Sequence, residues 1–197
     1  VASFKSVSAP DLLRVDRVLR KLPVTAFDQQ ARCARYDEDP SPLKLPSGRL
    51  RLLLFEKMTG FRDGPSVAAA RTAFQAMAAR RGWALVVSDK GGAITPANLK
   101  QFDAVIWNNV SGDVLTLRQR RAFADYVKSG GGYVGVHGSA GDYIYPWRWY
   151  ADTLIGARFI GHPMGPQFQD ARIMLEPGKS GIGGDIAPGW VMKDEWY

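Results

Sequence analysis

The chain has 197 residues, 46% of them hydrophobic and 23% charged, the proportions of an ordinary globular protein with room for one α/β domain. Its lone cysteine, Cys33, excludes an internal disulfide and a cysteine-rich zinc site, and no stretch approaches the roughly 20 apolar residues that span a bilayer, so no membrane partner is expected. The net charge of +7 is spread out, with ten Lys/Arg against six Asp/Glu in residues 1–51 and sixteen against thirteen in the rest. No long basic run is interleaved with aromatics, so a mildly basic solvated surface is expected and no nucleic-acid partner.

The first residue is a valine and no basic-then-apolar leader follows, so any signal peptide is expected to be gone or never to have existed. Residues 1–48 read as a basic N-terminal extension. PDLLRVDRVLRKL predicts a short amphipathic helix over 10–22, with Leu12, Val15, Leu19 and Leu22 on one face, Pro10 in its first turn and Pro23 as its stop. DEDPSPLKLPSG (37–48) holds three prolines and reads as a linker.

From Arg49 the pattern changes. RLRLLLF (49–55) is a buried strand, and GPSVAAARTAFQAMAARRG (64–82) a helix that places Val67, Ala70, Phe74 and Met77 on one face and stops at Gly82. WALVVS (83–88) is a second strand, TPANLKQF (95–102) a short helix and DAVIWNN (103–109) a third strand. TLRQRRAFADYVKSG (116–130) is a helix with a capping box at Thr116 and Gln119, and GYVGVH (132–137) the fourth strand. Apolar strands alternating with helices predict an α/β fold, doubly wound, with a mostly parallel sheet and helices on both faces. Further on, PWRWYADTLIGA (146–157) fits a helix and ARIMLEP (171–177) a short strand. The apolar ending GWVMKDEWY suggests that the domain continues past Tyr197.

Such sheets bind ligands beyond the carboxyl ends of their strands. Those ends carry Glu56, Lys57, Met58 and Thr59, then Ser88 and Asp89, then Asn108 and Asn109, then His137, Gly138 and Ser139. GVHGS (135–139) has the form of a nucleophile elbow, a sharp strand-to-helix turn that needs small neighbours, with a histidine at the tip where hydrolases carry Ser or Cys. A histidine there can act as acid or base, bind a metal, donate to a ligand, or simply bond the loop backbone. Ser139 lies two residues away on the same turn, which suits a small structural residue better than a nucleophile. DYIYPWRWY (142–150) packs five aromatics into nine residues. Aromatic faces suit a sugar ring, with Asp142 and Arg148 for its polar edge, although Trp147 and Tyr150 also suit core anchoring. SGGGYVGVHG lacks GxxxxGK[ST], and its glycines precede the strand, so no nucleotide is expected.

LLLFEKMTGFRDG, FDAVIWNNVSGDVLTLRQRRAFADYVKSGGGYVGVHGSAGD, WRWYADTLIGARFIGHP and DEWY together resemble the ThuA-like (trehalose utilisation) family, a branch of the class I glutamine amidotransferase-like fold. The resemblance covers residues 52–197 and implies a flavodoxin-like sheet in a bacterial protein of disaccharide and keto-sugar metabolism. It also puts His137 where an amidotransferase carries its cysteine, so glutamine hydrolysis through a thiolate is not expected. The chain departs from the family at Asp63, where GFRD stands for the usual GFRH, and at EPGKSGIGGD (176–185), where a His-Pro is usual. Family domains also usually run past DEWY, so the domain 49–197 is expected to lack its C-terminal end.

Both histidines fall inside the resembling motifs. The resulting expectation is a catalytic set of His137, His162 and Asp63, with His137 as acid/base and Asp63, Asp142 or Glu56 as its partner. Glu56, Thr59, Asn108, Ser139, Asp142, Trp147, Arg148 and Trp149 are expected to line a carbohydrate cleft. Asp63, His137 and His162 could form a two-histidine, one-carboxylate site for a divalent metal, although no short ligand motif such as HExxH is present, and no other cofactor is expected. Two readings stand. One is an enzyme acting on a sugar derivative by lyase, isomerase or hydrolase chemistry; the other is a catalytically silent carbohydrate-binding or interaction domain. The partner is a small-molecule carbohydrate, and a periplasmic or secreted location is favoured over a cytoplasmic one. The oligomeric state is not legible.

Overall fold

The leucine run after Arg51 has no polar residue to turn outward, and it forms a strand covered on both faces: β1 (Arg51–Phe55), in which Leu52, Leu53, Leu54 and Phe55 are all buried. The computed structural model describes residues 36–39, 42–141, 147–175 and 188–197. The chain divides into two compact units, one ending at Pro146 and the other running from Trp147 to Tyr197. The predicted helix over 10–22, Cys33, Asp142 and the stretch 176–185 lie outside the described residues.

In the first unit β1 leads to α1 (Gly64–Arg81), β2 (Ala84–Ser88), a 3-10 turn (Gly91–Ala93) and α2 (Pro96–Leu99). β3 (Ala104–Asn108), α3 (Leu117–Lys128), β4 (Gly132–Val136) and the single turn α4 (Gly138–Gly141) follow. The four strands are parallel in the order β2-β1-β3-β4. This is a mostly parallel α/β arrangement of flavodoxin-like type. The chain leaves β1 towards one edge and β3 towards the other, so the loops after β1 and β3 diverge, and that switch point is where such sheets open a crevice.

Strand alternation sorts the core into two layers. Leu52, Leu54 and Ile106 face one side, with Phe74 of α1 and Trp83 packed against them. Trp107 meets Phe55, Tyr133 and Phe123 of α3 on the other, with ring centroids 6.0, 5.8 and 4.8 Å away. The helices end as their sequences dictate. Thr116 and Gln119 close the expected capping box, and Gly82 takes the left-handed conformation (φ 65°) that stops α1.

The described part of the N-terminal extension is tied to this unit. Tyr36 donates from its hydroxyl to Asp113 Oδ2 at 2.6 Å. Asp37 pairs with the buried Lys57 ammonium and accepts from Gly92 N at 2.7 Å. A Cβ on Gly92 would fall onto the Asp39 backbone, so the glycine is what lets the two segments touch. Burial alone would raise the Asp37 carboxyl, but Lys57 and the Gly92 and Gly91 amides outweigh it and hold it below its ordinary range.

The second unit carries a π-type helical segment (Trp149–Ile155) and an antiparallel pair, β5 (Gln169–Met174) with β6 (Gly189–Asp194). Gly156, at φ 73°, ends the helical segment. Among the described residues, no helix is long and apolar enough to cross a membrane.

Candidate functional site

The four strand ends of the first unit converge as the alternation predicts. β4 runs straight into His137, whose backbone sits in the left-handed region at φ 46°, and α4 starts at the next residue. That is the strand–turn–helix geometry of an elbow, and a non-glycine residue in this region marks local strain. Ser139 holds the turn. Its hydroxyl donates to Trp107 O at 2.9 Å and accepts from Val110 N at 2.8 Å, and the residue is buried. The elbow is thus stapled to the end of β3 through a side chain committed to backbone groups.

The end of β3 also turns through a left-handed residue, Asn109 at φ 57°. Asparagine enters that region more readily than most residues. Its Oδ1 lies 2.7 Å from His137 Nδ1 and 3.4 Å from Gly138 N. Its Nδ2 donates to Asn108 Oδ1 at 2.9 Å and to Ser66 Oγ at 3.4 Å. Asn108 Nδ2 in turn donates to Glu56 Oε1 at 2.7 Å and to Val67 O at 2.9 Å. Glu56, buried at the end of β1, is closed by Arg71 of α1, whose Nε donates to Oε2 at 2.8 Å while Nη2 pairs with the same oxygen. The hydrogen bonds with Glu56, more than its charge, raise the Arg71 guanidinium above its usual value. A continuous polar string therefore runs from Arg71 through Glu56, Asn108 and Asn109 to His137, across the switch point.

The other expected residues fall around this string. Asp63 is the N-cap of α1, its Oδ1 accepting from Ser66 N at 3.1 Å. Thr59 donates from Oγ1 to Asp113 O at 3.2 Å and steadies the loop after β1. In the second unit, His162 is half-buried between Phe159 and Tyr197, at ring separations of 6.3 and 5.7 Å, with Nδ1 3.2 Å from Pro163 O. Trp147 stacks on Tyr150 at 5.7 Å and lies 5.3 Å from Trp149, while Arg148 pairs with Asp152 one turn on. Glu56, Asn108, Ser139 and His137 are brought together at one end of the parallel sheet. Trp147, Arg148, Trp149 and His162 belong to the second unit. Among the described residues, no group of three or more His, Cys, Asp or Glu is clustered to hold a metal ion.

One residue of the string, Arg71, lies away from the strand tips and escapes a sequence reading centred on them. Arg71 stands four residues after Val67 and three before Phe74 on α1, beside the apolar face, where a cation can reach an anion at a strand end. Asn109 was read at the tip of the third strand but left out of the expected site set, although asparagine enters left-handed backbone more readily than most residues.

An α/β domain with a parallel sheet and a histidine-tipped elbow at its strand ends defines the class. The ThuA family, described as trehalose utilisation, matches residues 51–197, and the chain belongs to that family. A solved ThuA-like protein from Bacteroides uniformis shares the fold, with TM-score 0.62 and 21% identity. That match covers 80% of this chain and 64% of the other, so the chain spans just under two thirds of that protein's length. No curated protein matches the chain.

Proposed function

We propose that the chain acts on a sugar or an oxidised sugar derivative, with His137 taking and returning a proton at the strand ends. The family's link to carbohydrate use supplies the substrate class. The observation that carries the chemistry is the elbow: a strained histidine at a strand tip, its Nδ1 2.7 Å from Asn109 Oδ1. Strain at a buttressed tip is the mark of a position kept for function. Glu56 serves this reading as a buried anion behind His137, and it reaches the ring only through the two asparagines.

The test is to incubate the protein with a panel of disaccharides and their keto derivatives and follow the sugar signals by proton NMR. Turnover by the wild type that is absent in His137→Ala supports the reading. Binding without turnover, equal in both proteins, would replace it with a carbohydrate-binding domain. Neither binding nor turnover across the panel would reject the substrate class.

A further inference from the structure

We infer that Asn108 and Asn109 form a one-way hydrogen-bond relay that holds neutral His137 with its proton on Nδ1 and its lone pair on Nε2. The inference follows from counting donors and acceptors along the string. Asn108 Nδ2 faces two groups, Glu56 Oε1 and the Val67 carbonyl. The carbonyl can only accept, and the ionised carboxylate that Arg71 holds can only accept. That end of the Asn108 amide must therefore be NH2, and its oxygen must face Asn109.

Asn109 donates to the Asn108 oxygen, so its own oxygen is turned towards the elbow. There it meets Gly138 N–H, which can only donate, and His137 Nδ1. Reversing Asn109 would set carbonyl against carbonyl at one end and NH2 against N–H at the other. With an oxygen 2.7 Å away, Nδ1 must carry a proton. Every bond then points the same way, from the imidazole to the Glu56 carboxylate, and such aligned strings strengthen one another. Ser66 does not disturb the direction, because its hydroxyl can accept from Asn109 and donate elsewhere.

Asn108, Asn109 and Glu56 are positioning residues: they act through His137 and set which nitrogen does its chemistry. The use of that nitrogen as a base rests on the function proposed above; the tautomer does not. Orientation of an imidazole by a fixed acceptor is a recurrent device, and here two neutral amides stand between the ring and the carboxylate.

The readout is nitrogen NMR of protein labelled in its histidine rings, at a pH where they are neutral. The chain has only two histidines, so His137→Ala assigns the signals and His162 serves as an internal reference. Wild-type protein is expected to show His137 protonated at Nδ1. Asn109→Asp keeps an acceptor and should keep that tautomer. Asn109→Gly suits the left-handed backbone, removes the acceptor, and should shift the ratio several-fold towards Nε2–H while leaving His162 unchanged. If Asn109→Gly does not fold, Asn109→Ser replaces it, since a hydroxyl imposes no direction. An Nε2–H ring in the wild type, or an unchanged ratio in a folded Asn109→Gly or Asn109→Ser protein, overturns the relay. A protein that turns over a sugar with an Nε2–H ring would sink the relay alone, and one that shows the Nδ1–H ring but handles no sugar would sink only the proposed function.

Discussion

His137 and Ser139 divide the elbow between them, one strained and exposed, the other buried and structural. Removing the Ser139 hydroxyl leaves the buried Val110 N–H without its acceptor. Ser139→Ala should therefore cost about 1–3 kcal/mol in urea unfolding, with any activity lost only in proportion to unfolding. The backbone at His137 supplies a sharper comparison. His137→Ala and His137→Gly both lose the ring and its bond to Asn109, but only glycine accommodates φ 46° without strain. The glycine variant should be the more stable of the two by about 1 kcal/mol, with both inactive. Equal stability would mean that the left-handed backbone is not retained in solution. The elbow itself was legible in GVHGS, because small residues around a histidine at the end of an apolar run leave few geometries open. The string behind it was not. Hydrogen-bond direction depends on which amide end meets which partner across 28 to 52 residues of sequence, and no local pattern carries that.

At the scale of elements, two charged contacts fasten helix and extension to the sheet. Arg71 ties α1 to the end of β1, and Arg71→Ala leaves the buried Glu56 carboxylate without its cation. The guanidinium is 47% exposed, so water offsets part of the loss and a cost of about 1–3 kcal/mol is expected from chemical denaturation. The extension is fastened through Asp37 and Lys57. Asp37→Ala should cost a similar amount, about 1–3 kcal/mol, because Lys57 stays buried without its partner. This loss carries a pH signature. The folded Asp37 carboxyl is held below its ordinary value, so its contribution is complete above the unfolded pKa of about 3.9 and disappears as pH falls through the lower folded value. Wild type and Asp37→Ala should converge in stability on acidification, and parallel curves would show that the pair is not formed in solution. The order of strands and helices was readable because alternation and capping are local signals. The docking of Tyr36 and Asp37 was not, since a proline-rich stretch looks the same whether it packs or not.

At the scale of the molecule, two units share one family domain. The parallel-sheet unit holds the histidine-tipped elbow, and the second carries the Trp147–Tyr150 stack and His162 within its own aromatic group. Family membership says which class of small molecule to offer, and the strand-end geometry says which side chain to remove. The most direct measurement is the rate of sugar conversion by wild type and His137→Ala under identical conditions, with circular dichroism and thermal unfolding confirming that both are folded. Conversion by the wild type and a loss of at least about 100-fold in the variant are expected, the scale of a general acid–base contribution. Conversion at an unchanged rate by a folded His137→Ala protein would contradict the role given to His137 and move the chemistry away from the elbow.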